Sequence, residues 1–76
     1  MSIPALEATK APRKEPKSVA VLKRLLASGL TQEEASHIIG VTVSTVNRWV
    51  NGHADPSRLA SEAIFRKAVE AGVPLE

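Results

Sequence analysis

A chain of 76 residues, 43% hydrophobic and 24% charged, has room for one small soluble globular domain. The absence of cysteine excludes disulfide staples and thiolate zinc sites, and no apolar run approaches the length of a membrane span. The net charge of +2 is spread unevenly: residues 1–30 carry six basic side chains (Lys10, Arg13, Lys14, Lys17, Lys23, Arg24) against Glu7 and Glu15, the remainder four basic against six acidic.

Residues 1–16 contain Pro4, Pro12 and Pro16 and little apolar content beyond Ile3 and Leu6, a composition that predicts a flexible basic tail. The start lacks the apolar core of a secretory signal, so a cytoplasmic setting at the nucleoid is expected. Lys10, Arg13, Lys14 and Lys17 suit an arm that tracks phosphates or enters a minor groove; a merely solvated terminus is the competing reading.

Beyond the tail, helix signals recur and no stretch alternates as a strand does. Four helices are expected, roughly 17–28, 32–39, 43–51 and 56–71, within a domain spanning 17–76. Pro16 or Ser18 opens the first. Thr31-Gln32-Glu33-Glu34 is a capping box for the second, Thr31 and Glu34 each serving an orphan amide of the other. Thr42 caps the third, and Asp55 with Pro56 supplies a cap and first turn for the fourth. Gly29, Gly40, Gly52 and Gly72 follow these segments and read as helix-closing residues. The fold class is therefore all-α, with four helices or five.

Only Gly40, Val41 and Thr42 separate the second helix from the third. So short a link suits two helices meeting at a steep angle, a helix-turn-helix. Close crossing needs small residues, supplied by Ala35 and Ser36. Ala35, Ile39, Val41, Val46 and Trp49 stand at the spacing that buries them in such a corner. Between Gly40 and Ala54 there is one arginine and no acid, so this segment meets no repulsion from phosphates.

The run Leu30-Thr31-Gln32-Glu33-Glu34-Ala35, then Gly40-Val41-Thr42, Ser44-Thr45-Val46, Asn51-Gly52 and Pro56-Ser57, resembles the phage Cro and repressor helix-turn-helix family over about residues 19–72. The resemblance implies a lambda-repressor-like domain whose third helix lies in the major groove of operator DNA, its outward residues at base edges. Here these are Val43, Ser44, Asn47 and Arg48. Arg48 can fork onto guanine and Asn47 onto adenine, Ser44 is adaptable, and Val43 offers a methyl contact. Phosphate contact or plain exposure is the alternative for Arg48. Gln32 matches the family glutamine that bonds a phosphate, and Thr42, Thr45, Asn51 and His53 are further backbone-contact candidates. Two departures stand out. Val43 replaces a glutamine that many members brace with the equivalent of Gln32. Leu25 and Val50 stand where some members place an arginine–glutamate pair.

Trp49 reads as core rather than as a base-stacking residue. His37 and His53 are far apart and have no partner ligands, so no metal site is expected. No catalytic arrangement, phosphate-cradling loop or sizeable cleft is expected, so the protein reads as a non-enzyme without cofactor or small-molecule ligand. Ala60, Ile64, Phe65, Ala68, Val69 and Ala71 spread over nearly half of the fourth helix, more than one core stripe needs. The surplus near Val69 or Leu59 is expected to serve a homodimer, or else to pack on the first helix. Two functions follow. One is a sequence-specific transcriptional regulator of phage, plasmid or bacterial type, most simply a repressor. The other is a protein-interaction module or antitoxin component on the same fold. The acid-free third helix favours the first.

Overall fold

The computed structural model describes residues 15–75, which form four helices. These are α1 (Lys17–Ala27), α2 (Gln32–Ile39), α3 (Val43–Val50) and α4 (Arg58–Ala71). There is no strand among the described residues. The tail expected over residues 1–16 lies outside the description except for Glu15 and Pro16. Lys17 belongs to the first turn of α1.

Three of the four helices begin at a side chain that accepts from an orphan amide, while α1 follows Pro16 without such a cap. Pro16 precedes α1, and Ser18 is a buried residue inside it rather than its cap. The capping box of α2 is complete: Thr31 Oγ1 accepts from the Glu34 amide at 3.0 Å, and Glu34 Oε1 accepts from the Thr31 amide at 2.9 Å. Thr42 Oγ1 accepts from the Thr45 amide at 3.2 Å and caps α3. The start of α4 corrects the sequence expectation. Its cap is Ser57, whose Oγ accepts from the Ala60 amide at 3.1 Å, so Asp55 and Pro56 lie before the helix. Ser57 holds the extended backbone of a cap, and its hydroxyl reaches the amide three residues on.

Val19, Val21, Leu22, Leu25, Ala35, Val46, Trp49, Ala60, Ile64 and Ala68 form one buried cluster drawn from all four helices. Burying each large aliphatic side chain contributes about 1.5–3 kcal/mol, which makes this cluster the main source of stability. α4 packs on α1 and α2, while α3 packs on α2 and α1. Val73 and Leu75 return across the core after α4, and Arg24 Nη1 donates to the Pro74 carbonyl at 3.0 Å. α3 is thus held from one side only.

Candidate nucleic-acid interface

The corner between α2 and α3 is set by backbone geometry. Gly40 closes α2 at φ 89°, and the amides of Gly40 and Val41 both donate to the Ser36 carbonyl, at 2.8 and 2.9 Å. A residue with a Cβ is strained at that φ, so glycine is what permits so short a turn. Ala35 and Ser36 are both buried at the crossing, and the Ser36 hydroxyl donates back to the Glu33 carbonyl at 2.6 Å. Val46 and Trp49 on α3 are buried, and Ile39 and Val41 are half-buried against the same cluster, as the spacing predicted.

Burying Val46 and Trp49 decides which side of α3 faces out. At about 100° per residue, Val43, Asn47, Asn51, Ser44 and Arg48 share an arc of about 140° opposite that contact. All five are exposed, including Val43 at 42%. No carboxylate lies between Gly40 and Ala54, and the Arg48 guanidinium has no hydrogen bond or ion pair among the described residues. The surface is a short rod end with one free cation, two side-chain amides, a hydroxyl and a methyl face.

A helix-turn-helix family profile matches residues 21–66, more than half of the chain. The chain belongs to the helix-turn-helix family. It is of the Cro and repressor type, and the family is one of DNA-binding regulators. No curated protein and no solved structure matches the chain.

Within this helix-turn-helix protein, Gln32 reaches across to α3. Its Oε1 accepts from Asn47 Nδ2 across the helix pair at a long 3.5 Å. The contact falls on Asn47, one turn along α3 from Val43. Asn51 approaches Asn47 from the other side: its Nδ2 donates to the Asn47 carbonyl at 3.0 Å and to Asn47 Oδ1 at 2.9 Å. Both protons of the Asn51 amide are thereby committed, and a phosphate contact from Asn51 would require breaking one of these bonds. The Gln32–Asn47–Asn51 row was missed in the sequence, although amide pairs four apart on a helix are a known stabilising spacing.

The other backbone-contact candidates are spread around this face. Thr42 and Thr45 share a hydroxyl–hydroxyl bond at 2.9 Å at the N-terminus of α3, with Thr45 only half-exposed. His53 is exposed in the loop after α3, where its backbone amide donates to the Arg48 carbonyl at 2.8 Å. Leu25 is buried in the core cluster, and Val50 is half-buried against it. Between the start of α1 and the loop after α3 runs an open groove of about 280 Å³, lined by Pro16, Val19, Trp49 and Asp55 and crossed by the 2.6 Å Lys23–Glu15 ion pair. Among the described residues no acidic or histidine cluster could hold a metal, and no helix is long and apolar enough to cross a membrane.

Proposed function

We propose that this protein binds duplex DNA sequence-specifically as a homodimer and represses transcription from the sites it occupies. α3 enters the major groove, with Val43, Ser44, Asn47 and Arg48 at base edges and Gln32, Thr42, Thr45 and His53 along the phosphates. The observation that carries the reading is the outward arc of α3, which is free of carboxylates and presents an uncommitted arginine beside a braced asparagine. A braced amide reads an adenine edge better than a free one, because less rotamer freedom is lost on contact. A dimer on two half-sites about one helical turn apart supplies the grip that one small domain lacks. The protein acts as a non-enzyme without cofactor, in the nucleoid where its DNA lies.

The test is selection of bound sequences from a random duplex pool, followed by affinity measurement at two salt concentrations. A recurrent motif and a steep loss of affinity with salt are expected. Arg48→Ala should relax preference at one base pair by about 1–3 kcal/mol, whereas Gln32→Ala should weaken all sites nearly alike. A pool that returns no enriched motif rejects the reading.

A further inference from the structure

α4 buries Ala60, Ile64 and Ala68 against α1 and α2. The face turned away from that contact carries Arg58, Leu59, Glu62, Arg66, Val69 and Glu70. Leu59 is 76% exposed and Val69 67%, more than any other large apolar side chain described. At about 100° per residue, these six stand in mirror order about a line opposite Ile64. Glu62 and Arg66 lie about 20° to either side of it, Val69 and Leu59 about 40°, Arg58 and Glu70 about 60°. That symmetry follows from their places in the chain. Each pair is equally far before and after Ile64 in the chain.

We propose that this face joins two copies of the chain, their α4 helices antiparallel across a two-fold axis at the level of Ile64. The inference rests on the dimer in the functional reading above and names the surface that forms it. A two-fold contact must be self-complementary, and this face is. Leu59 of one copy meets Val69 of the other at both ends, while Glu62 meets Arg66 twice at the centre. The basic Arg58 end of each helix comes level with the acidic Glu70 end of the other. A parallel pairing would set Glu62 against Glu62 and Arg66 against Arg66. Charge order therefore selects the antiparallel one.

The charges are available. Arg66 has no ion pair among the described residues. Among the described residues Glu70 pairs with Lys67 at 4.0 Å, and Glu62 is held only by Arg58, at 3.5 Å, an arginine whose side chain is 91% exposed. Such a surface pair holds its partners weakly. Mixed signs on one face also argue against an anionic membrane surface as the occupant, since Glu62 and Glu70 would be repelled. A helix of about 21 Å gives a contact at the small end of specific interfaces, so association should be weak and concentration-dependent.

The test is sedimentation of the full chain without DNA, from micromolar to millimolar concentration at low salt. The parent should rise in mass from monomer to dimer. Leu59→Asp should stay monomeric with an unchanged helical spectrum and melting curve, because the side chain it replaces is exposed. Glu62→Arg and Arg66→Glu should each weaken association by about tenfold or more, since each turns two attractions into two repulsions. An equimolar mixture of these two variants should recover the dimer, each supplying the sign the other lost. A parent that stays monomeric throughout, a Leu59→Asp chain that dimerises like the parent, or a mixture no tighter than its components overturns the proposal. DNA binding is read separately. A parent that dimerises this way but ignores selected duplexes keeps the surface and rejects the functional reading, while one that binds them as a monomer rejects the surface alone.

Discussion

Replacing Gly40 by alanine tests the turn on which the corner depends. Gly40 sits at φ 89°, and a Cβ added there meets nothing within 4 Å. Steric clash is thus absent, and the cost is the backbone's own, about 1–2 kcal/mol for an L-residue held left-handed. In a domain of this size each kcal/mol lowers Tm by about 4–8 °C. Gly40→Ala should accordingly melt about 4–16 °C below the parent, and Gly40→Asn should lose less, because asparagine tolerates this conformation better. A chain made by synthesis with D-alanine at position 40 should instead gain about 0.4–1 kcal/mol, since D-alanine favours positive φ and restricts the unfolded state. Circular dichroism melts of the four proteins decide the matter. If L-alanine is neutral while D-alanine destabilises, Gly40 is not left-handed and the turn is misdrawn.

Other expectations follow from the same geometry. Thr31→Ala removes the acceptor for the Glu34 amide and should cost about 1 kcal/mol in denaturant unfolding, Thr31→Ser much less. Val46→Ala removes two buried carbons from the inner face of α3. It should cost about 2–3 kcal/mol by the transfer and cavity terms together, read as a lower denaturation midpoint. Asn51→Ala releases the Asn47 amide. It should broaden base preference where Asn47 reads while leaving preference at the Arg48 position intact, as a repeat duplex selection would reveal.

Much of this arrangement is legible in residue order because its causes are local. The capping box needs only Thr31 and Glu34 three apart, the corner needs Gly40 and small residues at 35 and 36, and the buried side of α3 follows from Val46 and Trp49. What was not legible depends on contacts between distant segments. Apolar residues spread around half of α4, and their spacing marks Leu59 and Val69 as surplus to one core stripe without deciding whether α1 covers them; both are exposed. Gln32 and Asn47 are fifteen residues apart and meet only because α2 and α3 cross. Ser57 wins the cap of α4 over Asp55 because it, and not the aspartate, holds the amide of Ala60, a choice between two acceptable caps two residues apart.

The proposition that α3 inserts its outward arc into the major groove is tested most directly by amide and side-chain NMR shifts during titration with a selected duplex. The account predicts the largest changes at Val43, Ser44, Asn47 and Arg48, including the Asn47 side-chain amide, with smaller ones at Gln32 and His53. Shifts concentrated on the outward face of α4, with those of α3 unmoved, would contradict it.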